Sequence, residues 1–366
     1  MERYTKNLIS ISLIVGISLL FILGLIKIVQ APLSQSLSIL KSKIFHTENK
    51  YSDPLPVQKD SPIEFIFGGD VMLSREVNNR IVKAGDYSWP FAKISDFLKN
   101  ADLTIINLES PFILSEDYTV ANKSFVFKAS PQSILGLINS GIDLVSLANN
   151  HILNQGPKGL EDTLWILGNS GIKYIGAGRN EEEAHHGEIQ NIKGQNFGFL
   201  AYAYPNDNSV AKITRPGIAN MDLEKMKSDI KRLKEQNAIV IVFMHAGKEY
   251  SSQPNEHQIL FAHSAIEAGA EAVIGHHPHW PQTFEFYNGK PIIYSLGNLI
   301  FDQMWSTETR QGLLAKMSWK NGWQKIELIP IKIYDYGQAE ILADGKEKKA
   351  ILNKIGASDD GLIKSE

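Results

Sequence analysis

Apolar runs rich in β-branched residues alternate along this chain with segments whose apolar positions recur at helical spacing. Ile63–Phe67, Leu103–Ile106, Leu144–Leu147, Phe197–Ala203, Ala238–Met244, Ala272–Ile274 and Pro291–Ser295 predict strands. Glu76–Lys83, Pro131–Ser140, Pro157–Asn169, Leu223–Glu235 and Asn255–Ala268 predict helices between or beside them. Because the strand runs are almost continuously apolar, both faces of each must be covered. That pattern predicts an α/β domain of largely parallel strands. Leu313–Ile329 alternates around Asn321-Gly322 and predicts a hairpin.

The N-terminus follows a different pattern. Leu8 to Ile26 carries no charge, and the run passes Lys27 to reach Val29. About 20 apolar residues suffice for about 30 Å of hydrocarbon. Arg3 and Lys6 ahead of it favour a cytoplasmic N-terminus, although Lys27 weakens the asymmetry. The rival is a cleaved signal peptide. Against it, the run exceeds the usual apolar length of about 7–15 residues, and Val29-Gln30-Ala31 is a poor cleavage site. The expected organisation is a cytoplasmic N-terminus and transmembrane anchor over 1–30, then a Ser-, Lys- and Pro-containing stalk over 31–62. The α/β domain follows over 63–338, with a polar tail, part surface helix and part frayed end, over 339–366. This places the protein in the cell membrane, single-pass, with its C-terminal domain outside the cytoplasm.

Composition narrows the chemistry. The 366 residues carry a net charge of −3, which gives no electrostatic footprint for nucleic acid. There is no cysteine, so disulfides, thiolate metal sites and thiol nucleophiles are excluded. No Gly-x-Ser-x-Gly elbow occurs. Gly176-Ala177-Gly178 lacks the third glycine of a dinucleotide fingerprint and reads as a tight turn.

Polar clusters stand where the predicted strands end. They are Gly69-Asp70, Asn107-Leu108-Glu109, Asn149-Asn150-His151, His245 to Tyr250, and Gly275-His276-His277-Pro278-His279, with Gly297-Asn298 on a turn facing the same rim. In open α/β sheets ligands bind beyond the carboxyl ends of the strands, so the placement makes one candidate site of scattered residues. Mixed oxygen and imidazole donors suit Mn, Fe or Zn rather than Ca. Two such ions about 3.5–4 Å apart can hold a bridging water and lower its pKa. Blander roles compete: Asp70 as a helix cap, Asn150 as a turn residue, Glu249 as an ion-pair partner. His185-His186, after three glutamates, reads as part of a solvated helix rather than a ligand pair.

The clusters taken in order carry a specific resemblance. Phe-Gly-Gly-Asp-Val-Met-Leu from Phe67, Ala-Asn-Asn-His from Ala148, His-Ala-Gly-Lys-Glu-Tyr from His245, Gly-His-His-Pro-His from Gly275 and Tyr-Ser-Leu-Gly-Asn-Leu-Ile-Phe-Asp-Gln from Tyr294 resemble the CapA/PgsA family of poly-γ-glutamate capsule biosynthesis proteins. More broadly they resemble the calcineurin-type metallophosphoesterase superfamily. The similarity covers about Phe65 to Ile333. It implies a four-layer sandwich, two mixed sheets flanked by helices, following the transmembrane helix. It also implies two divalent transition-metal ions: Asp70 and His279 on the first, Asn150, His245 and His277 on the second, and Glu109 bridging. His151 would be the general acid near the leaving group. Asn107, Glu249, His276 and Asn298, together with Lys128 and Arg215 on family-like segments, are the residues expected behind the ligands or facing an acidic substrate. Three departures from the superfamily stand out: Met72 where its Asp-x-His has histidine, a glutamate as bridge, and the added Glu249. The implied role is synthesis or export of poly-γ-glutamate, or a related capsular polymer, beside membrane-bound ligase subunits. A metal-dependent hydrolase is the first expectation. A non-catalytic accessory and an envelope phosphoesterase are the alternatives.

Overall fold

The computed structural model describes residues 61–122, 124–204 and 209–364. The expected anchor over Leu8–Val29 and almost all of the stalk lie outside these residues. Among the described residues no helix is long and apolar enough to cross a membrane.

Two mixed sheets form the domain. The larger holds β1 (Ile63–Val71), β2 (Leu103–Leu108), β3 (Leu144–Ser146) and β4 (Lys173–Ile175), all parallel. A short ribbon pairs β5 (Ala177–Gly178) with β8 (Gly217–Ile218). The second sheet is built from β6 (Glu188–Ile192), β7 (Gln195–Ala203), β9 (Ile239–His245), β10 (Ala272–His276), β11 (Phe284–Tyr287) and β12 (Lys290–Ile293). Its order is β11-β12-β10-β9-β7-β6, with the outermost strands antiparallel to their neighbours. The chain then returns to the first sheet with β13 (Asn298–Ile300), β14 (Gln311–Trp319), β15 (Trp323–Tyr334), β16 (Gln338–Ile341) and β17 (Leu362–Ile363).

Alternation along the strands explains the layering. In the second sheet Leu200, Tyr202, Val240, Val242, Met244 and Val273 turn one way and pack with Met226, Ile230, Leu233, Phe261 and Ala265 of helices Leu223–Glu235 and Glu256–Ala268. Residues of opposite parity turn towards the first sheet, because successive side chains alternate faces. There Phe65 meets Phe197 at 4.8 Å between ring centroids, and Phe67 meets Phe243 at 5.8 Å. In the first sheet's crossovers, helix Gly156–Ser170 buries Leu160, Leu164 and Leu167, and helix Ile134–Asn139 buries Leu137. Helices thus accompany both sheets, and the seam between the sheets is aromatic.

The predicted strands and helices are all present, several of them longer at their ends, and the helical segment from Pro131 opens with a 3-10 turn. The hairpin turns at Asn321 and Gly322, both at positive φ, where a left-handed turn suits asparagine and glycine. The end of the chain carries the expected helix, Lys346–Lys354, but it also adds strands to the first sheet. β16 and β17 both pair with β15, and helix Lys346–Lys354 buries Ile351 and Leu352. A few apolar residues scattered among lysines are enough to dock an edge, a signal that composition averages away.

Candidate metal centre

β1 changes partner within its own length, and this builds one wall of the site. Up to Gly68 it pairs antiparallel with β14, and from Asp70 it pairs parallel with β13. A Cβ on Gly69 would lie 2.0 Å from the Gly297 carbonyl, so only glycine permits the switch. The result is a row of polar residues across three strands: Asn298 opposite Asp70, and Asp70 opposite Asn107. In the second sheet His276 stands opposite His245. Glu109, Asn150 and His151 follow the ends of β2 and β3, and His277 and His279 follow β10.

These residues converge. Glu109, His245 and His277 present donor atoms within 4.8 Å of one another, and Asp70, Glu109 and His279 do the same. Glu109 belongs to both sets. Its Oε1 lies 3.8 Å from His245 Nε2 and 4.0 Å from His279 Nε2. Ligands about 2.0–2.2 Å from one tetrahedral ion sit about 3–3.5 Å apart, so the donor spacing fits shared ions with small adjustment. Asn150 Oδ1, 2.9 Å from His245 Nε2, brings an amide oxygen to the first set.

The supporting contacts orient these donors. Asn107 Nδ2 donates to Asp70 Oδ1 at 2.7 Å, and Asn149 Nδ2 donates to Asn107 Oδ1 at 3.2 Å. Asn298 donates through Nδ2 to the Thr309 carbonyl, so its Oδ1 must be the acceptor for His279 Nδ1 at 2.9 Å. His279 Nε2 is thereby left as the donor atom facing Glu109. An outward N–H held by an acceptor is the usual companion of a metal-ligating histidine. His151 is fixed by the same logic. The Phe127 N–H donates to Asn154 Oδ1 at 2.7 Å, so that oxygen also accepts the His151 Nδ1 proton at 2.9 Å. The His151 ring stacks on Phe127, with Nε2 3.9 Å from Glu109 Oε1.

Electrostatics favours the neutral form of His245 and His276 and the ionised form of Asp70. Burial, then the neighbouring imidazoles of His277, His276 and His279, hold His245 well below its ordinary pKa. Burial likewise lowers His276, against the opposing pull of Asp70. Burial alone would raise Asp70, but hydrogen bonding and charge from His279, with His276 and Asn107 behind, leave it below the usual carboxylate range. Neutral imidazole and ionised carboxylate are the metal-binding forms.

Other candidates lie elsewhere. Asp70 is no helix cap, since its carboxylate is fully buried within the row. His276 turns its Nε2 to the Gly68 carbonyl at 3.1 Å and bridges the two sheets. Glu249 is exposed and bonds its neighbour Tyr250. Lys128 pairs with Glu116 at 2.9 Å, and Arg215 donates to the Val210 carbonyl at 2.8 Å; neither joins the donor sets. His185 is buried rather than solvated, donating to Asp229 at 2.8 Å. Tyr250 and Arg75 sequence reading missed. The Tyr250 hydroxyl is pushed up to about 12 by burial and by Glu249, and it also feels Glu109 and Arg75. Positive φ at Tyr250, His277 and His279 marks the rim loops as backbone held in an uncommon conformation, which no sequence pattern announces.

The fold and this rim define a two-sheet α/β protein with a buried histidine–carboxylate cluster of metal-binding geometry. Residues 64–303 match the family described as bacterial capsule synthesis protein PGA_cap. This chain belongs to that family. The PGA biosynthesis protein CapA of Bacillus subtilis (strain 168) is 30% identical over 81% of this chain and 78% of its own length. The capsule biosynthesis protein CapA of Bacillus anthracis is 29% identical over 82% of this chain and 75% of its own. Among solved structures, a 5'-nucleotidase precursor from Thermus thermophilus aligns over 77% of this chain and 54% of its own, at 11% identity and a TM-score of 0.44. That likeness is too loose to bear on activity.

Proposed function

We propose that this protein is a membrane-anchored, outward-facing capsule biosynthesis protein acting on poly-γ-glutamate or a related acidic polymer, with a dinuclear metal site on its rim. The observation that carries the reading is Glu109 standing in two donor sets at once. Asp70, Glu109 and His279 would hold one ion, and Glu109, Asn150, His245 and His277 the other. Mn, Fe or Zn suits these donors. Ions held there would supply Lewis-acid activation of water and of a polar bond. As the imidazolium, His151 would give its Nε2 proton to the leaving group and keep its Nδ1 proton on Asn154. The bond cleaved is an amide of the polymer or a phosphoester. Membrane-bound synthase subunits are the expected partners.

A second reading is a non-catalytic accessory that uses the same cleft to guide the polyanion. Met72, standing where the wider superfamily places a histidine ligand, favours it. The full-length chain, purified with manganese or zinc, separates the two when assayed on poly-γ-glutamate and on a generic phosphoester. Catalysis predicts metal-dependent cleavage that falls about 10²–10⁴-fold in His151→Ala with metal content unchanged. If His151→Ala matches wild type while Asp70→Ala abolishes capsule formation, the accessory reading takes its place. The topology is tested separately: protease applied to intact cells should digest the domain after Ser61 and leave a membrane-held N-terminal fragment.

A further inference from the structure

Neither Lys128 nor Arg215 reaches the donor sets, yet a cation does stand beside them. Arg75 follows β1 and opens helix Arg75–Ala84 with φ at +50°. One edge of its guanidinium is spent on Asp302: Nε donates to Oδ2 at 3.1 Å and Nη2 to Oδ1. Among the described residues Nη1 has no hydrogen-bond partner, and the side chain keeps 31% of its exposure. The group is caged by rings, with its carbon 4.8 Å from the Phe127 centroid, 5.7 Å from Phe125 and 5.9 Å from Phe301. Two of those rings lead straight to the site. Phe127 stacks on His151, and Phe301 lies 4.9 Å from the His279 ring. Arg75 also bears on the Tyr250 hydroxyl together with Glu109.

We infer that Arg75 is a substrate-positioning residue, whose outer guanidinium edge binds a carboxylate of the acidic polymer next to the metal cluster. Asp302 and the phenylalanine cage remove the rotamer freedom that an exposed arginine would lose on binding, so the fork is presented ready-made. A chain with a carboxylate on every residue can engage this edge whichever segment lies at the cluster. The buried rings of Phe127 and Phe301 shield part of the guanidinium from water, which strengthens the charge-assisted bond. The inference rests on the polymer reading proposed above.

The test measures binding of poly-γ-glutamate oligomers and, in parallel, inorganic phosphate to the full-length, manganese-loaded protein, with metal content followed independently. Arg75→Gln should weaken the oligomer about 10- to 100-fold with metal content unchanged. Arg75→Lys should recover only part, since an ammonium lacks the fork. Arg75→Gln takes the guanidinium from Asp302 and leaves it the Glu76 N–H at 3.2 Å, so the pair Arg75→Gln/Asp302→Asn is measured as well. A purely structural role predicts that the pair restores binding, whereas recognition predicts that the loss persists and its salt dependence flattens. Unchanged oligomer binding in Arg75→Gln, or restoration in the double variant, overturns the assignment. Arg75-dependent binding of phosphate but not of the oligomer overturns the carboxylate assignment. Failure of the wild-type protein to bind the oligomer at any metal loading overturns instead the polymer reading on which it rests.

Discussion

Asp229 and Glu109 are both buried carboxylates set among histidines, but their contacts differ. Asp229 Oδ2 accepts the His185 Nδ1 proton at 2.8 Å and the Tyr202 hydroxyl at 2.9 Å, while Oδ1 accepts Arg232 at 3.3 Å. Arg232 further ties the carbonyls of His185 and His186. Glu109 Oε1 instead has imidazole nitrogens of His245, His151 and His279 around it at 3.8, 3.9 and 4.0 Å. The first cluster is closed by direct hydrogen bonds and locks helix Leu223–Glu235 to β7 and the 181–186 segment. The second has the spacing of donors around a common centre. Donor atoms shared between two sets, rather than residue type or burial, separate the candidate metal site from a structural ion pair.

That contrast can be broken experimentally. Replacing His277 and His279 together by alanine should remove essentially all bound transition metal, read by elemental analysis, with cooperative unfolding retained. Stoichiometric metal surviving in that variant would show that the ligands are assigned wrongly. Asp229→Ala should do the reverse, costing about 3 kcal/mol in denaturant unfolding while metal content stays at the wild-type level, because it strands His185, Tyr202 and Arg232. Metal loss in Asp229→Ala would make the two clusters one system. Asn298→Ala removes the acceptor that orients His279, and competition with a chelator should find metal affinity about 10–100-fold weaker. An unchanged affinity would mean that the Asn298 contact does not orient a ligand.

The smallest effect concerns pH in the metal-free protein. His245 and His276 are both held below their ordinary values, so below about pH 6.5 the unfolded chain binds protons that the fold refuses. Stability should therefore fall as pH drops through 6.5 towards 5, with no contribution from these groups above that range. Thermal unfolding across about pH 5–8 measures it. His276→Gln, which keeps a donor for the Gly68 carbonyl, should flatten the slope; an equal slope would assign it to other groups.

Much of the rim is legible in one dimension because each of its residues sits next to a strand end. Asp70, Glu109, Asn150, His245, His277 and His279 each follow an apolar run, and the carboxyl-end rule gathers them. The same rule says nothing about Arg75, which lies at a helix start and looks like any surface cation until Asp302 and Phe127 close on it. Lys128, suggested by family-like sequence around Phe127, turns its side chain to Glu116. His185 is hidden by its neighbours: a histidine after three glutamates reads as solvated, and only the packing of a second helix buries it.

The sequence by itself determined the α/β class, the strand and helix positions, and which polar residues stand at strand ends, because periodicity and glycine placement are local constraints on the backbone. It also determined the family, through motifs kept in order. The tertiary structure decided what no local pattern holds: that β1 changes partner at Gly69 to align Asp70 with Asn298 and Asn107. It decided as well that β16 and β17 extend the first sheet at β15. These depend on distances between residues far apart in the chain, and such distances exist only once the two sheets have packed against each other.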